Sequence, residues 1–123
     1  MNALKFQFEM LEEARLFMKS IPTDARNKIY YNIRKASCGI IDPEIFKKLE
    51  NTDIWEFRTL YNRIVYRLFA FWDSDAETFV IATHGIIKKT QKTPSKEIAK
   101  AQEIRRQYFY LKINEYVKLQ RIN

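Results

Sequence analysis

The spacing of hydrophobic residues predicts a strand and two helices in the first third of the chain. Residues 4–8 alternate apolar and polar side chains, as a half-buried strand does. Apolar residues then recur every three or four positions from Met10 to Met18 and again from about Ala25 to Ala36, which is the period of an amphipathic helix. Pro22 separates the two stretches, and Gly39 is placed to end the second. We therefore expect a strand followed by two packed helices.

In the middle of the chain the period changes to two, and aromatic and β-branched residues become frequent. This pattern predicts an antiparallel meander of three strands at residues 54–60, 63–72 and 78–84. The preceding segment, residues 44–51, is long enough for one or two helical turns that would connect the helices to the strands.

The C-terminal part of the chain has a helical pattern from Pro94 almost to its end, and Thr93 is suited to cap that helix. One apolar stripe is predicted to face the sheet: Ala101, Ile104, Tyr108 and Leu111. A second stripe either packs on the N-terminal helices or binds a partner: Phe109, Ile113, Tyr116 and Val117. These elements together predict an α+β fold.

A two-residue loop at Tyr61-Asn62 would close the first hairpin of the meander. That register pairs Glu56 with Arg67 and places Arg58, Arg63 and Arg67 on one face, while the opposite face is apolar. Slipping one strand by a single residue would bury an arginine in the core, so the pattern defines the register up to an even shift. The alternative to a binding role is a solvated sheet face with a weak Glu56–Arg67 pair.

Composition limits the class of protein. With 123 residues and 46% hydrophobic residues, the chain is expected to fold as a single domain over residues 1–123. One cysteine and one histidine, Cys38 and His84, give no disulfide framework and no ordinary metal site. Two glycines are too few for a phosphate-binding loop, and no signal peptide or membrane span is evident. We expect a cytoplasmic protein without metal or cofactor.

Positive charge is concentrated in the second half of the chain. The net charge is +7, of which residues 1–62 contribute +1 and residues 63–123 contribute +6. A basic balance favours a polyanionic partner, and its distribution predicts that the binding surface lies mostly in the second half. The other interpretation is that many of these cations are simply the solvated face of a helix.

The arginine-bearing face is suited to phosphodiester chemistry. Guanidinium groups bind phosphate oxygens and stay charged, so they stabilise the extra negative charge of the transition state. In RNA the adjacent 2′-hydroxyl can be the attacking group, which requires neither a protein nucleophile nor a metal. The sequence offers three candidates for proton transfer: Glu56, His84, and a lysine that its cationic neighbours help to deprotonate. His84 has a second interpretation as a packed residue bonded to its surroundings.

Four stretches of the chain are distinctive: FKKLENTDIWEFR, YRLFAFWD, THGIIKKTQKTP and SKEIAKAQEIRR. The most specific is the stretch from His84 to Pro94. Together, from about Phe46 to Tyr108, they resemble the phage-derived HigB branch of the RelE/ParE toxin superfamily. The resemblance implies N-terminal helices on a curved antiparallel sheet with a C-terminal helix. It also implies the toxin of a type II toxin–antitoxin pair, which cleaves mRNA in the ribosomal A site to give a 2′,3′-cyclic phosphate.

The same resemblance implies site residues and partners. Four basic groups fall where the family binds phosphate and stabilises the transition state: Arg58, Arg67, Lys88 and Lys89. Residues expected to contact RNA are Gln91, Lys92 and Thr93, with Arg63 added from the arginine-bearing face. The expected partners are the ribosome, mRNA and a cognate antitoxin with a helix-turn-helix motif; no membrane is expected.

Two positions depart from the family pattern. Glu56 stands where RelE-type enzymes carry a second basic residue, and Ile86 stands where an aromatic residue commonly follows the glycine. Two other functions therefore stay open. One is a non-nuclease toxin similar to ParE, which inhibits DNA gyrase, and the other is a catalytically degenerate member that only binds its antitoxin.

Overall fold

A five-stranded sheet organises the chain in a computed structural model that describes residues 5–40, 42–73, 79–88 and 92–122. Along the chain the elements are β1 (Gln7–Met10), α1 (Glu12–Ser20), α2 (Thr23–Ser37), β2 (Phe46–Lys48), β3 (Trp55–Tyr61), β4 (Ile64–Asp73), β5 (Phe79–Lys88) and α3 (Ser95–Ile122). The strand order is β1-β5-β4-β3-β2, and every neighbouring pair is antiparallel except β1 with β5. The α+β prediction and the antiparallel meander are confirmed.

One face of the sheet is covered by the two N-terminal helices. Helix α1 packs mainly on β5, and α2 packs mainly on β3. Their inward stripes include Ala14, Met18 and Ile29, which join Phe57 and Leu68 of the sheet in one core cluster. We call this side of the sheet the helical face; both predicted helices are confirmed on it.

The other side of the sheet carries the first half of α3. Ala101 is buried there against Ile54, Phe69 and Phe71. Phe109 also packs on Phe71, with their ring centroids 5.6 Å apart. We call this side the α3 face.

The second half of α3 leaves the sheet. At about 1.5 Å per residue its 28 residues extend about 42 Å, whereas the ten-residue strands β4 and β5 extend about 33 Å. Leu111 is 65% exposed, so its predicted contact with the sheet is wrong. Ile113, Tyr116 and Val117 are exposed as well, and they do not pack on the N-terminal helices.

Several elements differ from the sequence prediction. The first strand spans Gln7–Met10, where it pairs in parallel with β5, instead of residues 4–8. Residues 44–51 do not form helical turns: Phe46–Lys48 is strand β2, because Phe46 stacks on the Phe57 ring and the segment pairs with β3. Strand β5 continues to Lys88 instead of ending at residue 84, because Ile86 and Ile87 pair with β4. Local periodicity does not report such strand pairing, which depends on contacts distant in sequence.

The β3–β4 hairpin turns one residue later than expected. Its two central residues are Asn62 and Arg63, both with positive φ (52° and 66°), instead of Tyr61 and Asn62. The strands are thereby shifted by two residues, so Arg58 opposes Arg67 and Glu56 opposes Phe69. Because the shift is even, each strand residue keeps its predicted face. Arg63, however, lies in the turn and not on the arginine-bearing face.

No helix that the structure describes combines the length and the hydrophobicity needed to cross a lipid bilayer.

Candidate functional site

The sheet register brings several of the predicted basic positions together on the α3 face. Arg58 of β3 lies directly opposite Arg67 of β4, and Ile86 of β5 lies on the other side of Arg67. Two residues further along the strands, Lys88 opposes Val65. The first half of α3 covers the far end of the same face, so these positions lie beside the start of that helix. We call the basic positions Arg58, Arg67 and Lys88 the arginine site.

At the arginine site, Arg67 is buried and paired with Glu56. Only 2% of the Arg67 side chain and none of the Glu56 side chain is exposed. Arg67 Nη1 donates a hydrogen bond of 2.5 Å to Glu56 Oε1. The alternative interpretation, a solvated face with a weak Glu56–Arg67 pair, is therefore wrong: this is an ion pair inside the protein, which bridges diagonally between β3 and β4. Removing either partner would leave a buried charge without its counterion.

Thr93 completes this cluster from the segment that precedes α3. Its hydroxyl donates a hydrogen bond to Glu56 Oε2 at 2.7 Å, and Arg67 Nη1 donates to the Thr93 oxygen at 3.4 Å. Both Glu56 oxygens thus accept hydrogen bonds, which occupies the carboxylate and argues against Glu56 as a general base. Thr93 does not cap α3 as predicted, because its hydroxyl is used by the sheet.

His84 is a packed residue. The imidazole lies on β5, nearly inaccessible to solvent, with Nε2 3.2 Å from Glu97 Oε1 and Nδ1 3.0 Å from Thr83 Oγ1. It also lies against the Phe69 ring. Burial lowers the pKa of His84, Lys100 acts in the same direction, and the Glu97 hydrogen bond opposes them. The structure favours the packed interpretation over proton transfer.

Gly85, the second residue of the HG motif, has a structural reason to be glycine. A Cβ atom placed there would lie 2.2 Å from a ring carbon of Phe17 in α1. Any side chain would therefore displace α1 from β5. This part of the motif fixes the packing of a helix on the sheet.

The remaining predicted site residues differ in how accessible they are. Arg58 is half-buried and forms no ion pair with any carboxylate that the structure describes. Arg63 is exposed at the tip of the hairpin, and Lys92 is exposed before α3. Lys89 and Gln91 lie outside the described residues, and for Lys88 the structure describes the backbone only.

Four cations of α3 form ion pairs, most of which the sequence does not reveal. The pairs, with their N–O distances, are Lys100 with Glu13 (3.4 Å), Arg105 with Asp53 (3.7 Å), Arg106 with Glu103 (2.5 Å) and Lys112 with Asp73 (2.7 Å). Only the Arg106 pair is visible as an i,i+3 spacing in the sequence. The basic patch predicted for this region is thus partly neutralised within the protein.

Asp73 is a second residue whose role the sequence does not reveal. This buried carboxylate accepts hydrogen bonds from the Tyr108 hydroxyl (2.7 Å) and from Lys112 Nζ (2.7 and 2.9 Å). Burial, with the Asp73 contact, raises the pKa of Tyr108 to about 12. The contact fastens the middle of α3 to the end of β4.

Comparison with known proteins identifies the family. The family model described as phage derived protein Gp49-like (DUF891) matches residues 16–106. The chain belongs to this Gp49-like family. The match begins within α1, includes α2 and β2 to β5, and ends in the first half of α3. It contains Glu56, Arg67 and Thr93, and it leaves out β1 and the outer half of α3.

Solved structures are similar to this chain as well. The Gp49-like chain is similar to one chain from the crystal structure of the toxin–antitoxin complex RelBE2 of Mycobacterium tuberculosis, with 17% identity and a TM-score of 0.45. The similarity covers 73% of this chain and 100% of that one. No curated protein matches.

Proposed function

We propose that this Gp49-like protein is the toxin of a type II toxin–antitoxin system and cleaves mRNA on the ribosome. The observation that carries the proposal is the pair of directly opposed arginines, Arg58 and Arg67, on the α3 face. The resemblance of the WEFR, YRLF and KKTQKTP stretches to the HigB branch supports the same function.

The two arginines have different roles in this proposal. Arg58 is the half-buried guanidinium that binds the scissile phosphate and stabilises the additional charge of the transition state. Arg67 is buried with Glu56 and Thr93, so it supports the site from beneath. Lys88, Lys89 and Lys92 supply further positive charge along the RNA. Gln91 and Arg63 remain proposed RNA contacts.

The proposed reaction is an internal transesterification. The 2′-oxygen attacks the adjacent phosphorus, a new P–O2′ bond forms, and the P–O5′ bond breaks to give a 2′,3′-cyclic phosphate and a 5′-hydroxyl. The 2′-hydroxyl loses a proton, and the leaving 5′-oxygen gains one. Because Glu56 and His84 are buried and hydrogen-bonded, we assign neither to proton transfer. The Lys88–Lys89 pair is the group that we propose for proton transfer.

We also propose that the cognate antitoxin buries the apolar stripe on the outer half of α3. Tyr110, Ile113, Tyr116 and Val117 are all exposed there, and α3 extends beyond the sheet. Exposed apolar stripes of this kind are typical of protein–protein contacts.

The test of the proposed nuclease is a purified translation reaction programmed with a defined mRNA. Adding the protein should stop translation and create new mRNA ends that carry a 2′,3′-cyclic phosphate, and the same RNA without ribosomes should be cut far more slowly. Intact mRNA in an arrested reaction would contradict the nuclease proposal. Inhibition of DNA gyrase with intact mRNA would instead support a toxin similar to ParE.

A further inference from the structure

The outer face of α2 combines positive charge with exposed aromatic rings. Lys28, Tyr30, Tyr31, Arg34 and Lys35 project within one arc of the helix, because their positions fall within about 160° at 100° per residue. Ala25, Ile29, Ile33 and Ala36 occupy the opposite arc and are buried on the helical face of the sheet. We call the five outward residues the α2 outer face.

The cations of the α2 outer face are not neutralised by carboxylates. None of Lys28, Arg34 and Lys35 forms an ion pair within the ranges that the structure describes. The sequence of α2 contains one carboxylate, Asp24, in its first turn. The contrast with α3 is informative, because Lys100, Arg105, Arg106 and Lys112 are each paired with a carboxylate.

Tyr31 holds two of these cations in place. The Lys28 ammonium lies 5.2 Å from the centre of the Tyr31 ring, and the Lys35 ammonium lies 5.5 Å from it. Both distances are within the range of a cation–π contact. The two lysines are seven residues apart, so the ring organises positive charge over about 10 Å, or two helical turns. Tyr30 and Tyr31 are themselves exposed.

The α2 outer face is separate from the arginine site. The helix packs mainly on β3 from the helical face of the sheet, and its Asn32 side chain donates a hydrogen bond to Thr59 there. Arg58 and Arg67 point to the α3 face on the opposite side. A ligand of the α2 outer face would therefore contact the protein on the other side of the sheet from the candidate reaction.

We propose that the α2 outer face is a second RNA-binding surface that recognises the phosphate backbone without reading sequence. Positive groups that are not paired with carboxylates of the protein release the counterions of a polyanion when they bind it. Exposed aromatic rings stack on nucleobases. An acidic protein segment would use the charge but has no need for the two exposed tyrosines. The choice of RNA over DNA rests on the proposed function; the choice of a nucleic acid rests on the α2 outer face alone.

The test compares two double variants that remove the same charge. K28Q/K35Q changes the α2 outer face, and K100Q/K118Q changes two lysines of α3 as the matched control. Binding of a fluorescent 20-nucleotide RNA, single-stranded and as a duplex, is measured by polarisation between about 50 and 200 mM salt. We expect K28Q/K35Q to weaken binding roughly tenfold and to reduce the slope of log K against log salt by about 1.4 for the single strand.

Two further variants examine the tyrosine ring. Y31F keeps the ring face that attracts both lysines, and it should bind RNA within about twofold of the wild type. Y31L removes the ring and should weaken binding by several-fold, because the lysines lose their fixed position. Circular dichroism of each variant checks that α2 is intact.

Three results would overturn the proposal. One is an equal loss of RNA affinity in K28Q/K35Q and K100Q/K118Q, which would reflect net charge only. Another is an unchanged salt slope in K28Q/K35Q. A third is a K28Q/K35Q variant that no longer binds a labelled polyglutamate peptide but binds RNA as the wild type does. That result would assign the α2 outer face to an acidic protein. mRNA cleavage in the translation reaction is scored separately, so the nuclease proposal and this one can fail independently.

Discussion

At the scale of single residues, the most informative feature of the arginine site is the buried Glu56–Arg67 ion pair. A guanidinium taken out of water loses its hydration, and the Glu56 carboxylate and the Thr93 hydroxyl replace part of it. Such a pair is formed at a high desolvation cost, so it indicates a fixed position more than a large gain in stability. Arg67 is thus fixed inside the protein, whereas Arg58 is only half-buried.

Replacing Arg67 by alanine should destabilise the folded protein, independently of any effect on activity. R67A leaves the Glu56 carboxylate buried without its counterion, and we expect a loss of about 3–5 kcal/mol in the free energy of unfolding. The double variant E56Q/R67M removes both charges and should lose distinctly less. Urea denaturation of the two proteins measures the difference. A wild-type midpoint for R67A would show that Arg67 is not paired as described.

His84 should make the protein less stable in weak acid. Its pKa is lowered in the folded state, so below the ordinary value of 6.5 the unfolded chain binds a proton that the folded protein resists. The free energy of unfolding should therefore fall between pH 7.5 and pH 5.5, and this component should be absent in H84Q.

Titration of the imidazole by NMR gives a direct check, because the chain has a single histidine. We expect the midpoint in the folded protein to lie below 6.5. A midpoint at or above that value would contradict the buried, neutral imidazole.

At the scale of secondary structure, the β3–β4 turn explains which part of the arginine face could be predicted. Alternation fixes the face of each strand residue, and an error of two residues in the turn does not alter it. Arg58 and Arg67 were therefore assigned to the correct side, whereas Arg63 was not, because the turn contains it. The location of the turn depends on left-handed conformations that Asn62 adopts readily and arginine does not.

The turn geometry predicts that R63G is tolerated or stabilising. Two consecutive residues with positive φ are typical of a type I′ turn, in which glycine at the second position avoids the steric cost paid by arginine. We expect a change in the free energy of unfolding between zero and about +1 kcal/mol. A loss above about 1 kcal/mol in thermal denaturation would place the turn elsewhere.

Elements with a regular period were predictable, whereas the short edge strand β2 was not. Helices α1, α2 and α3 each have a stripe at helical spacing over at least nine residues. Strand β2 has three residues, too few for a period, and it is held by pairing with β3 and by the stacked Phe46 and Phe57 rings. The burial of Arg67 was equally invisible, because Thr93 and Glu56 reach it from 26 and 11 residues away.

At the scale of the whole molecule, the distribution of charge differs from its distribution in sequence. The second half of the chain carries +6, yet four α3 cations are balanced by carboxylates from β4, α1, α3 itself and the segment before β3. The first half carries only +1, yet the α2 outer face presents three cations without counterions in the described structure. Among the described residues, cations without a paired carboxylate thus lie on both sides of the sheet: Arg58 on the α3 face, and Lys28, Arg34 and Lys35 on the α2 outer face.

We propose that Arg58 acts on a scissile phosphodiester. Its most direct test is the rate of mRNA cleavage at a mapped site in a purified translation reaction, measured for the wild type, R58Q and the matched control R105Q. We expect R58Q to unfold within about 1 kcal/mol of the wild type but to cleave about 10²–10³-fold more slowly, and R105Q to cleave within about threefold. Cleavage by folded R58Q at the wild-type rate would contradict the account.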